Sequence, residues 1–322
     1  MSTWSEIHTI EGQYNLAVWH STFPVLAAST ENKVEFFSAD GRKSEKAVIK
    51  KDGLKSGLIS WHPTKKLLAS SWSNGKSTES PLFRLILLGT LVIWNDSEQT
   101  LREAIGHHSM ITCVAWSPLG QRLVTGDADG EVVVWRCDIR GRLISLCQYR
   151  LKSAITHCVF RSLRNSEDSK GNESPSFFLA SANGSICFAD DIGHCSEVVK
   201  ISSSILALLT LESNDTLIVV NDELLLNQFI FTPEGKIGQQ TEFKLSTSAK
   251  FDKKVNQICW VGNGLLALSA GRNLKIWDLL TDDSFNLSIP VSCITDSGNL
   301  LMWKKRWAVT DATEKNISWE VI

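Results

Sequence analysis

Apolar and polar positions alternate along this chain in short bursts, and the bursts recur in a fixed order. An apolar segment ends on an aromatic residue, and a brief turn leads to a second alternating segment. A Gly/Asn/Asp turn follows, then a third segment that also ends on an aromatic residue. The order is visible in LAVWHSTFPVLAAS from Leu16, LISWHPTKKLLASSW from Leu58, TCVAWSPLGQRLVTGDADGEVVVW from Thr112 and QICWVGNGLLALSAGRNLKIWD from Gln257. Alternation with period two predicts half-buried strands, and the intervening residues supply the tight reversals between them. The chain therefore reads as all-β.

The first aromatic position falls at Trp19, Trp61, Trp116, Phe160 and Trp260, with Thr210 in that place in the fifth copy, at intervals of 42, 55, 44, 50 and 50 residues. A period near ~40–45 residues, with four strands per unit, is that of WD-repeat β-propeller blades. Pro63 and Pro118 follow their tryptophans by two residues, where a strand ends and a backbone N–H is no longer needed. The second turn reads Ser73-Asn74-Gly75, Asp127-Ala128-Asp129-Gly130, Asn183-Gly184, Gly271-Arg272-Asn273 and Ser297-Gly298-Asn299, residue types suited to positive φ and side-chain capping. Third segments end at Phe37, Trp94, Trp135, Phe188, Phe229, Trp277 and Trp303. These endings predict about seven blades of four antiparallel strands in a single propeller spanning 1–322.

Two places break the rhythm. Trp61 and Trp94 are 33 residues apart, against 19 for Trp116–Trp135 and 17 for Trp260–Trp277. Removing the 14 residues 76–89 leaves SWSNGTLVIWN, a normal hairpin. If Gly75 is encoded by GGT and Leu88-Gly89 by TTA-GGT, GT and AG stand at the borders of this insertion and its removal rejoins Gly75 to Thr90 in frame. The expectation is a short translated intron. The second break is Trp277 to Trp303, only 26 residues. The seventh blade is therefore expected to be incomplete, with Trp4–Ile10 supplying an edge strand and uncovered edges promoting aggregation. The segment 280–322 then holds that incomplete blade and, from Asn316, the start of a second propeller.

Composition adds boundaries. With 33 Lys+Arg against 35 Asp+Glu and a net charge of -2, general binding to nucleic acid or to acidic membranes is disfavoured. The basic runs from Arg42 to Lys55 and at Lys304-Lys305-Arg306 read as exposed loops. Eight cysteines include no C-x-x-C pair, and those in apolar segments, such as Cys113, Cys158, Cys187 and Cys259, read as buried free thiols of a reducing compartment. No basic-then-apolar leader opens the chain, so a secreted protein is not expected. The most apolar run, Leu82 to Trp94, contains Arg84 and is too short to span a bilayer.

Candidate chemistry is sparse. Gly75-Lys76-Ser77 suggests a phosphate loop, but Ser70 stands where that motif needs its first glycine. No G-x-S-x-G nucleophile turn occurs, and the acids and histidines lack metal-ligand spacing. His107, Thr125, Asp129 and Trp135 read as a hydrogen-bonded structural network, with the histidine joined to Asp129 of the turn. Most of the twelve tryptophans recur at blade positions as core; Trp4, Trp72, Trp307 and Trp319 fall outside that register. No catalytic residue, cofactor, metal or small-molecule substrate is expected. Partner contacts are expected at turn residues Ser109, Met110, Asp129 and Arg272.

Several segments go beyond generic blade geometry: WHPTKKLLA, ITCVAWSPLGQRLVTGDADGEVVVWR, DIRGRL, ITHCVFR, LKIWDL and RWAVTDATEKNIS. With them the chain resembles the N-terminal propeller of the intraflagellar transport protein 140 family, from about residue 14 to 319. The linker Asp138–Arg142 followed by Ile155–Arg161 is the most specific part. The resemblance implies a non-catalytic subunit of intraflagellar transport complex A, acting in retrograde ciliary transport and in entry of membrane proteins into the cilium. Its implied partners are other complex A subunits and ciliary cargo proteins, and its implied sites are cytoplasm, cilium and ciliary base. Members are long proteins with a second propeller and a helical tail, so a chain ending at Ile322 reads as a truncated copy of one module. The alternative is a coat-type vesicle-trafficking propeller subunit.

Overall fold

A computed structural model describes residues 14–38, 40–73, 89–161, 175–211, 215–232, 236–245, 255–260, 265–270, 273–278, 283–287, 301–306 and 316–321. All regular structure among them is β-strand. The first sheet comprises β1 (Leu16–Trp19), β2 (Val25–Ser29), β3 (Lys33–Ser38) and β4 (Lys43–Lys50). The second comprises β5 (Lys55–Trp61), β6 (Leu67–Ser73), β7 (Gly89–Asn95) and β8 (Thr100–His107). The third is built from β9 (Ile111–Trp116), β10 (Arg122–Asp127), β11 (Glu131–Cys137) and β12 (Leu143–Arg150). The fourth holds β13 (Ile155–Phe160), β14 (Phe177–Ser181), β15 (Ser185–Ala189) and β16 (Cys195–Lys200). The fifth holds β17 (Ile205–Leu211), β18 (Thr216–Asn221), β19 (Leu225–Phe231) and β20 (Ile237–Lys244). The sixth holds β21 (Val255–Trp260), β22 (Leu265–Ala270), β23 (Asn273–Asp278) and β24 (Asp283–Leu287).

Each of these six is a four-stranded antiparallel meander in chain order, the blade of a β-propeller. The expectation of about seven blades is thereby corrected to six. In place of a seventh, β25 (Leu301–Arg306) pairs among the described residues with β26 (Asn316–Val321) alone, Trp303 opposite Trp319. The physical reason is length: the 26 residues from Trp277 to Trp303 must also complete β24, which leaves too few for two further strands. The N-terminal segment Trp4–Ile10 lies outside the described residues, as do 76–88 of the insertion. Gly89, its last residue, opens β7.

The chain forms two compact units, one of residues 1–50 with 246–322 and one of residues 51–245. In the first, Ala17, Leu26, Ala28 and Phe37 form a core cluster against which Tyr14, Leu16 and Trp19 pack. In the second, three clusters each span two consecutive sheets. Leu67, Ile93, Leu123, Val133 and Trp135 join the second and third sheets. Val124, Val132, Ile155 and Phe177 join the third and fourth. Phe178, Ile186, Leu217 and Phe229 join the fourth and fifth.

This packing explains the residue pattern. Second and third strands are covered on both faces, so β7 is buried throughout and β18 likewise. Covered strands need apolar residues without alternation. The fourth strands are outer edges, and β20 (IGQQTEFK) is exposed along nearly its whole length. Polar and charged residues there discourage pairing with another chain. First strands of neighbouring sheets are tied by side chains: Trp116 Nε1–H donates to Ser60 O (3.1 Å), and Thr210 Oγ1–H to Phe160 O (3.3 Å). Among the described residues no helix is long and apolar enough to cross a membrane.

Candidate functional site

Where the second sheet meets the third, polar side chains form a buried cluster, and the third blade has two exposed ends. At the core of the cluster is His107, the last residue of β8. Its Nδ1 lies 3.0 Å from Asp127 Oδ2 and its Nε2 lies 2.7 Å from Thr125 Oγ1. Trp135 Nε1–H donates to the same Thr125 oxygen at 2.8 Å. The contacts form one chain: Trp135 reaches Thr125, Thr125 reaches the imidazole and also Val133 O (3.4 Å), and the imidazole reaches Asp127. The other Asp127 oxygen accepts the backbone N–H of Asp129 (3.0 Å) and of Glu131 (2.8 Å). All four side chains are buried, and burial demands this degree of satisfaction.

The carboxylate of this network is therefore Asp127, where the spacing had suggested Asp129. Asp129 is exposed and contributes only its backbone N–H. Burial alone would raise the Asp127 carboxyl pKa, but hydrogen bonds from His107 and from the Glu131 and Asp129 amides outweigh it and hold it below the usual range. Gly106 fits beside the network because a Cβ there would come within 2.5 Å of the Trp135 ring. His107, Asp127 and Glu131 place ligand-type atoms within 4.8 Å of one another. Both imidazole nitrogens are already engaged, so ion binding at His107 would break one of these bonds. The arrangement holds a turn and does not present a reactive group.

Neighbouring blades repeat the logic with other residues. Trp72, outside the expected register, is buried and donates Nε1–H to Ser70 Oγ at 2.9 Å, two residues earlier on the same strand, whereas Trp135 reaches Thr125 from the adjacent strand. Asn221 Oδ1 accepts the amides of Glu223 (3.1 Å) and Leu225 (2.9 Å), as Asp127 does in its own turn. Trp4 and Trp307 lie outside the described residues. Cys113 and Cys187 are buried free thiols, and burial pushes the Cys113 thiol up to about 12, far from nucleophilic use at neutral pH.

The two ends of the blade differ. One end carries the predicted contacts: Met110 is exposed and its carbonyl accepts Ala128 N–H at 3.0 Å, which brings it to the Asp129 turn, and half-buried Ser109 precedes it. Arg272 lies outside the described residues. The opposite end holds an open groove of about 450 Å³ lined by Lys65, Leu119, Gly120, Gln121, Arg136, Cys137, Asp138, Ile139 and Ile144. It lies between the β5–β6 turn and the β9–β10 and β11–β12 turns. Sequence reasoning did not find it. The available signal was an isoleucine, Ile139, placed in a tight polar turn.

Stacked meander sheets, polar clusters spent on holding turns, and free surface at the blade ends define a β-propeller of the kind that carries interaction surfaces. The family model of the IFT140 first beta-propeller matches residues 5–172 and 166–302, and the chain belongs to that family. Membership relates it to intraflagellar transport complex A and to the cilium, and propellers of this family are typically non-catalytic scaffolds.

Proposed function

We propose that the chain is a non-catalytic interaction scaffold of intraflagellar transport complex A. In this reading it supports retrograde ciliary transport and the entry of membrane proteins into the cilium, working in the cytoplasm, at the ciliary base and in the cilium. Its partners are other complex A subunits and ciliary cargo proteins, met through exposed turns on rigid blades, with Ser109, Met110 and Asp129 at one such end. The observation that carries the reading is the family match over residues 5–172 and 166–302. The buried polar network supports it, because His107 and Asp127 are committed to each other and to the turn.

The test is expression of the tagged chain in ciliated cells. Recovery of complex A subunits with the tag, together with signal at the ciliary base, is the expected result. Recovery of vesicle-coat subunits with signal on Golgi membranes would overturn it.

A further inference from the structure

The groove opposite the predicted contacts has features that blade construction does not require. Leu119, Ile139 and Ile144 are 70%, 76% and 41% exposed and converge on one cavity of about 450 Å³. Turns are ordinarily polar, and apolar residues clustered around a concavity mark an interaction site.

The turn that presents Ile139 is rigid. Asp138 Oδ1 accepts the amides of Arg140 and Arg142, each at 2.8 Å, and Asp138 N–H donates back to Arg142 O at 3.0 Å. Gly141 closes the turn at φ +82°, where a Cβ would come within 2.8 Å of Ile93. The Leu119 turn is fixed in the same way, with Gly120 at φ +70° pressed against His62. An isoleucine held outward by a fixed backbone loses little entropy on binding a partner.

Charge selects the occupant. Lys65 and Arg136 are the cations of the lining and Asp138 is its acid, already engaged by the two turn amides. Arg136 makes no ion pair with any described residue, and Arg142 adds a further exposed cation on the same turn. We propose that this groove docks a short acidic peptide segment of a partner protein. One aliphatic or aromatic side chain of that segment seats among Leu119, Ile139 and Ile144, and its carboxylates face Lys65 and Arg136. The inference rests on the reading of the chain as an interaction module and names the chemistry of one surface.

The test is fluorescence anisotropy on the full 322-residue chain. The probe is a fluorescein-labelled peptide with one leucine flanked on each side by two glutamates. Saturable binding that weakens with added salt is expected. Ile139→Ser and Arg136→Ser should each weaken it about tenfold, while Arg150→Ser, an exposed cation at the other end of β12, leaves it unchanged. Circular dichroism of each variant must match the parent chain, with Leu119→Ser as the substitute for any that does not. Absence of saturable binding would overturn the proposal. So would equal binding of a peptide with alanine for leucine, or binding indifferent to both groove variants. A chain that fails here yet still recovers complex A subunits loses the groove and keeps its scaffold role.

Discussion

At the scale of single residues, Asp127 contributes to acid sensitivity, as do Glu35, Asp40, Asp138 and Asp190, whose carboxyls are also held low. The Asp127 carboxyl is held below the ordinary range in the folded chain, whereas an unfolded aspartate titrates near ~3.9. A depressed folded value means that its stabilisation is complete above about pH 4 and is lost as pH falls through the folded value. Asp127→Asn should flatten this acid-side loss and cost about 1 kcal/mol at neutral pH, since the amide oxygen still accepts the turn amides. His107→Ala should cost about 3 kcal/mol, because it takes one hydrogen-bond partner from each of the buried Asp127 and Thr125 and opens a cavity between them. Urea titrations at neutral and acid pH measure both; equal costs for the two variants would contradict the network. The sequence showed that a polar network belonged here and not which aspartate joined it. Asp127 and Asp129 are both turn residues, and only the position of the strand end, with Asp127 closing β10 inward, distinguishes them.

Between residue and sheet lies the hairpin, and its turn glycine sets what each hairpin tolerates. Gly130 sits at φ +84°, and a Cβ there would lie 2.5 Å from Leu151 O and 2.7 Å from Ser153 O. Gly184 meets Ile201 O in the same manner, and Gly89 meets Ser109 O. Gly130→Ala should therefore destabilise by about 1–3 kcal/mol, read as a shift in the urea midpoint. The same position bears on the insertion. In the third blade five residues separate the pair Gly126↔Val132. Deleting 76–89 leaves five between Ser71 and Leu91, which pair in β6 and β7, and puts Gly75 where Gly89 stands. The deletion variant should keep the far-ultraviolet spectrum and match or exceed the parent in melting temperature. A fall of many degrees would show that the extra residues belong to the fold. Element positions were legible because buried strands write a periodic signal. The blade number was not, since Trp303 lies inside β25, which among the described residues pairs with β26 alone and so completes no four-stranded sheet. The groove left even less trace: Ile139 and Ile144 fall on a turn and on the strand after it, and Leu119 reaches them only through the pairing of β10 with β11.

Across residues 51–245 the three apolar clusters overlap, each sharing a sheet with the next. In a repeat array, stability is a sum of units and nearest-neighbour interfaces, and strong interfaces make the array open as a block. Here the interfaces are well filled: Val124, Val133, Ile155, Phe177 and Leu217 are fully buried, and Trp116, Thr210 and His157 add hydrogen bonds between first strands. The amides of β10, β14 and β18 should therefore exchange together, in the slowest class and with one common dependence on denaturant. Ile155 packs so closely on Gly126 that a Cβ added to the glycine would come within 2.7 Å of it. Ile155→Ala opens a cavity at that contact, which should cost about 2–5 kcal/mol and speed exchange in all three strands. Acceleration confined to the third and fourth sheets would instead mean that each blade opens alone. That outcome matters for binding, because a groove shared by two blades keeps its shape only while the blades move as one.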